Sequence, residues 1–123
     1  MISFETLLKS GKYTDLYRTK IMEKRYSSYI KKHPNYSNFL YKKLFKNENI
    51  NLLLNKFPYD LESNVLHYVL WSKTKLNKTQ IDLILTEKLK GCECNYIYFE
   101  NLSRNKSIKD IFHVQIFLKV EFP

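Results

Sequence analysis

At 123 residues the chain has the length of a single domain. Hydrophobic residues at 44% and aromatics at 15% exclude wholesale disorder, and no run approaches the ~18 apolar residues of a membrane-spanning helix. The formal net charge of +9 is uneven. Residues 1–47 carry 11 Lys/Arg against 3 acids and residues 48–123 carry 10 against 9, so the positive field belongs to the N-terminal third.

Such a field steers nucleic acid, anionic lipid or an acidic partner towards the surface that bears it. The composition includes 10 Tyr and 8 Phe but no alanine, the bias of an A+T-rich genome, and part of the basic charge follows from that codon bias. The opening MISFETLLKSGK has neither the basic nor the apolar region of a signal peptide. The two cysteines, Cys92 and Cys94, are two apart, too close to bridge in extended chain, and no others exist to build a framework. These features together predict a reducing, cytoplasmic home: the host cytoplasm or the virion if the chain is viral.

The first third reads as helix. Thr14 is placed to cap a segment reaching Lys32, with Asp15 in its first turn and Leu16, Ile21, Tyr26 and Tyr29 at roughly helical spacing. Arg18, Arg25 and Lys32 are seven apart and would form one basic stripe along it. Pro34 ends this helix. A shorter one is predicted over Ser37–Phe45, with Phe39, Leu40 and Leu44 inward. The polar run Asn47–Asn51 marks the change from a basic helical part, 1–47, to a sheet-forming part, 48–123.

Ile50–Leu54 predicts a short strand and 58–64 a turn-rich connection. Val65–Trp71 is apolar on both faces, as a central strand is. Asn77 with Gln80 makes a capping box for a helix carrying Ile81, Ile84, Leu85 and Leu89, closed by Gly91. Asn95–Glu100 returns as a strand, 102–110 is a polar loop, and Ile111–Val120 is the last strand. Its Phe112, Val114, Ile116, Leu118 and Val120 face a core, while Ile111, His113, Gln115, Phe117 and Lys119 face the other way. The fold expected is α+β: an antiparallel sheet of three or four strands carrying the N-terminal helices and one crossover helix.

Strand period places His67 on the face of Val65, Val69 and Trp71, and His113 on the face of Gln115 and Phe117. In neighbouring strands these faces would coincide, so that two imidazoles, an indole and a carboxamide line one surface. Asn101, Arg104 and Ser107 would stand at its rim. Aromatic walls with a few polar groups and a cation suit a small phosphate- or sugar-bearing ligand. Trp71 would stack on a ring, and Lys73 or Arg104 would hold a phosphate. Taken singly, His67 and Trp71 equally suit core packing. Cys92 and Cys94 lack the spacing and the second pair of a zinc site, so no metal is expected. With two glycines in the chain, phosphate-cradling glycine loops are excluded, and no cofactor is predicted.

Several of these residues also carry a resemblance. Phe57-Pro58-Tyr59-Asp60, the strand His67-Tyr68-Val69-Leu70-Trp71-Ser72-Lys73, and Asn101 through Ser107 to His113-Val114 resemble the family named for the fungal N-acetylglucosamine-induced protein, found also in large DNA viruses. Leu7–Ser10 and Tyr17-Arg18 extend the likeness over nearly the whole chain. Gln115 departs from it, standing where a second histidine is expected. The resemblance implies an intracellular protein and no particular activity. A weaker likeness is to histidine-triad nucleotide-binding proteins, with His113-Val114-Gln115-Ile116-Phe117 in place of alternating histidines. One histidine is too few for a nucleophile and its orienting partner, so catalysis by that route is not favoured.

Three functions are left in view. The first is a binding domain for a small anionic ligand such as a nucleotide, using His67, Trp71, Lys73, Asn101, Arg104, Ser107, His113 and Gln115. The second is a basic nucleic-acid or macromolecular adaptor working through Arg18, Lys24, Arg25, Lys31 and Lys32, with interleaved tyrosines for unpaired bases. The third is a degenerate triad-like hydrolase or transferase with His113 as nucleophile or base. No membrane partner is expected, and the oligomeric state is left open.

Overall fold

The computed structural model describes residues 1–10, 16–100 and 111–120. Eight elements follow one another: α1 (Phe4–Ser10), α2 (Lys20–Lys32), α3 (Tyr36–Leu44), β1 (Ile50–Leu54), β2 (Val65–Ser72), α4 (Lys78–Lys88), β3 (Cys94–Phe99) and β4 (Phe112–Val120). The strands form one sheet in the order β1-β2-β4-β3, every pair antiparallel. β2 and β3 are both antiparallel to β4, so they run parallel to each other. The chain from β2 through α4 to β3 therefore crosses over β4, as the α+β reading expected.

Both faces of the sheet are covered, and β4 is buried on both. On one face Ile81 and Leu85 of α4 pack with Leu70, Val114 and Ile116. On the other face two separate clusters form. At one end Phe4 and Leu7 of α1 meet Val65, Phe99 and Phe117. At the other end Leu40 and Leu44 of α3 meet Phe45, Ile111 and the half-buried Trp71. The middle of this face, between the two clusters, is where a site can form.

Local chemistry accounts for the element ends. The capping box of α4 is complete: Gln80 N–H donates to the Asn77 side chain (2.8 Å), and Asn77 N–H donates to the Gln80 side chain (2.9 Å). Gly91, with φ of +85°, takes the left-handed turn two residues past the C-cap Leu89. α1, which the sequence analysis did not single out, is started by the Ser3 hydroxyl, which accepts from Thr6 N–H (3.1 Å).

Three expectations change. The second helix starts at Lys20, not near Asp15, because the hydroxyl that caps it is that of Thr19, accepting from Met22 N–H (3.2 Å). Residues 16–19 are not helical; Thr14 and Asp15 lie outside the described residues. Arg18 thus precedes the helix and leaves the expected basic stripe. Phe39 is 57% exposed and stays out of the core, because α3 directs Leu40 and Leu44 at the sheet. Cys92 and Cys94 are joined as a disulfide, with Cα atoms 5.5 Å apart. The chain is not extended there: Cys92 N–H donates to the Leu89 carbonyl (3.0 Å) in the turn that leaves α4, and this bend brings the two residues within bridging range. The compartment inferred from unpaired cysteines loses that support. Among the described residues no helix is long and apolar enough to cross a membrane, and no group of three or more His, Cys, Asp or Glu is placed to hold a metal ion.

Candidate functional site

Register builds the floor of a cavity. Trp71 pairs directly with His113 on β4 and with Asn51 on β1. Val69 pairs with Gln115 and with Leu53, and His67 pairs with Phe117. Paired residues in an antiparallel sheet share a face, and successive rows on that face are about 6.7 Å apart. The expected coincidence of the two histidine-bearing faces is therefore present, as three rows of side chains on one surface. The indole and the His113 ring lie 4.8 Å apart in the first row.

Over this floor, between the α1 and α3 clusters, lies a cavity of about 400 Å³. α3 contributes Phe39 and Lys43 to its wall, α2 contributes Tyr26 and Tyr29, and the segment after β1 contributes Lys56 and Phe57. The roof is aromatic: Phe57 lies edge-on to Tyr26 (5.3 Å), and its ring centre is 5.3 Å from that of Tyr29 as well. Arg18, Lys43 and Lys56 are the cations of the lining, and among the described residues no aspartate or glutamate borders it. Arg18 is held in place. Its Nε donates to the Phe57 carbonyl (2.8 Å), Nη1 reaches Glu23 at 3.4 Å, and the guanidinium lies over the rings of Tyr26 (4.3 Å) and Tyr59 (5.3 Å).

His67 is sealed behind the floor at 3% exposure and does not line the cavity. Its ring stacks on Phe117 (4.7 Å) and lies against Tyr59 (4.7 Å). The backbone N–H of Tyr59 donates to Nδ1 (3.2 Å), which makes that nitrogen the acceptor and Nε2 the protonated one. Nε2–H then donates to Gln115 Oε1. Asn55 Nδ2 lies 3.4 Å from the same nitrogen, a donor facing a donor and so not a hydrogen bond in this tautomer. Burial, reinforced by the Arg18 charge, drives the His67 pKa down to about 4 against the opposing hydrogen bond to Gln115, so the ring is neutral at pH 7. His113 is also buried, and its Nδ1–H donates to the Ile111 carbonyl (2.8 Å).

Of the ligand-contact residues expected from sequence, the structure brings Trp71, His113 and Gln115 together at the cavity. His67 stands behind them as a support. Lys73 is exposed and off the cavity, its ammonium 6.0 Å from the Tyr41 ring. Asn101, Arg104 and Ser107 lie outside the described residues. Of the expected nucleic-acid set, Lys24, Arg25, Lys31 and Lys32 are exposed on α2, while Arg18 turns into the cavity. Sequence reasoning missed Tyr26, Phe57, Lys43 and Lys56 as lining residues. One signal was present for the first: Tyr26 and Tyr29 are three apart on a helix otherwise poor in apolar residues, a stripe that must cover something.

The comparisons with known proteins agree with the resemblance read from the sequence. The family described as "Protein of unknown function (DUF3605)" matches residues 18–119. The "N-acetylglucosamine-induced protein 1" of Candida albicans (strain SC5314 / ATCC MYA-2876) is 35% identical over 94 residues, covering 62% of this chain and 37% of that protein. The chain thus spans little more than a third of the length of this curated relative. The crystal structure of HTC1 superposes with a TM-score of 0.74 at 22% identity, covering 100% of this chain and 86% of the other, a likeness of fold.

Proposed function

We infer that this chain, which belongs to the DUF3605 family, binds a small phosphate-bearing ligand, such as a nucleotide, in the cavity between the sheet and helices α2 and α3. The observation that carries this reading is the lining itself: a cavity of about 400 Å³ with aromatic walls, three cations and no acidic side chain among the described residues. That volume lies in the range of small-molecule sites. Trp71 offers a face for a planar ring. The cations sit on the α2, α3 and β1–β2 sides, so the phosphate is assigned to that end and not to Lys73.

Trp71 is the chain's one tryptophan, which makes its emission a direct reporter. Titration with 5′-mononucleotides and with sugar phosphates, including N-acetylglucosamine 6-phosphate, is expected to give a saturable change for at least one compound. Arg18→Ala should weaken that binding at least tenfold, the cost of removing a charge-assisted contact. Absence of any saturable response across the set counts against the reading.

A second reading rests on a different surface. α2 has no buried residue, and Lys20, Lys24 and Lys31 border a shallow outer groove beside Ser27, Ser28 and one carboxylate, Glu23. A basic helix face of this kind fits the phosphate backbone of a nucleic acid, with binding that weakens steeply as salt rises. A gel shift that is absent at low salt removes this reading.

A further inference from the structure

We propose that Gln115 sets the polarity of the cavity, presenting its amide nitrogen as a fixed donor, so that the subsite it shares with Arg18 and Tyr26 takes the oxyanion of a phosphate monoester and discriminates against the same molecule without its phosphate. The inference rests on the ligand-binding reading above and deepens it.

A backbone N–H is only a donor, so the Tyr59 N–H makes His67 Nδ1 an acceptor. A neutral imidazole has one protonated nitrogen, so Nε2 carries the hydrogen and needs an acceptor. Gln115 supplies Oε1. The carboxamide can satisfy His67 only with its oxygen turned back into the protein, which leaves its NH2 end on the cavity side. Nε2 of Gln115 has no hydrogen bond among the described residues. The ring stack of Tyr59, His67 and Phe117 prevents His67 from turning to present its other edge.

Two further groups share this need. Tyr26 lines the same cavity, and its hydroxyl is buried with no hydrogen-bond partner among the described residues. A buried hydroxyl without a partner is uncommon and costly, and a ligand oxygen would supply what is missing. Arg18, whose guanidinium lies over the Tyr26 ring, uses Nε and Nη1 on the protein and has no hydrogen bond from Nη2 among the described residues. An amide NH2, a phenolic hydroxyl and a guanidinium edge, all from residues lining one cavity, are donors that match an acceptor-rich anion. His67 touches no ligand; it is a positioning residue acting through Gln115.

Paired titrations test this, with each 5′-mononucleotide compared with its nucleoside and N-acetylglucosamine 6-phosphate with N-acetylglucosamine, followed by Trp71 emission and by calorimetry. Wild type is expected to favour a phosphorylated member over its partner by at least tenfold. Gln115→Glu keeps the acceptor for His67 but turns a carboxylate towards the anion; this variant should lose that preference. Gln115→Met, of similar volume and with no donor, covers the case in which Gln115→Glu does not fold, and its preference should fall roughly tenfold. His67→Phe retains the stack but frees the amide to turn. Its phosphorylated-to-unphosphorylated affinity ratio should drop, a quantity that uniform loosening of the fold leaves unchanged. Phosphate preference that survives in Gln115→Glu, or in Gln115→Met should the first not fold, overturns the inference while leaving the ligand-binding reading intact. A wild type that binds no member of any pair overturns both.

Discussion

His67 shows how one buried side chain ties pH to stability. Its folded pKa lies at about 4, below the ordinary histidine value of 6.5, because burial penalises the charged ring. Between those values the unfolded chain binds the extra proton and the folded chain does not. Stability is therefore complete above about pH 6.5 and falls as pH drops towards 4, by an amount on the order of 3 kcal/mol, after which this group adds no further loss. Chemical denaturation across pH 4 to 7 should show that slope in wild type and a shallower one in His67→Gln; equal slopes would mean that His67 titrates as an ordinary histidine. That His67 and Trp71 share a strand face was legible from the two-residue period. That His67 lies behind Gln115 was not, because its position depends on the Tyr59 backbone, which reaches it from the connection before β2.

At the level of elements, legibility followed the strength of local signals. α4 could be read to within a residue because a capping box at its start leaves little choice. The start of α2 could not, since the cap is Thr19 in place of the expected Thr14, and tertiary contacts hold the residues before it out of the helix. Arg18 bonds the Phe57 carbonyl and Tyr17 accepts from Asp60 N–H (2.8 Å), which holds residues 17 and 18 against the 57–60 segment and outside the helix. Asn77→Ala removes the cap of α4 and should lower stability by about 1 kcal/mol in equilibrium denaturation; no change would show the box to be redundant. α2 is held over the cavity through Tyr26, Tyr29 and Phe57 and has no buried residue. Phe57→Ala deletes two ring pairs, each worth about 1 kcal/mol, and should raise amide exchange in α2 by roughly ten- to a hundredfold while α4 is unaffected. Uniform change across both helices would contradict a separate attachment of α2.

For the whole molecule, the arrangement that makes a site is the gap between two clusters on one sheet face. α1 and α3 fill the two ends of that face, and the middle keeps polar floor residues that neither cluster covers. The uneven charge noted in the sequence becomes spatial here, since Arg18 and Lys43 from the basic third border this gap together with Lys56. The adjacency of β2 and β4 was a condition of the expected site and had no local signal of its own, since only β2 reads as apolar on both faces, as a central strand does. The cavity was not legible either, because its walls come from three helix and loop segments whose approach is set by packing and not by any motif. Entry of a phosphate-bearing ligand into this gap is read most directly by an NMR titration of the wild-type protein with a 5′-mononucleotide. Saturable shifts of the Trp71 indole N–H and the Gln115 side-chain amide are expected at a common dissociation constant; shifts confined to the outer lysines of α2, or none at either group, would contradict a ligand site in this gap.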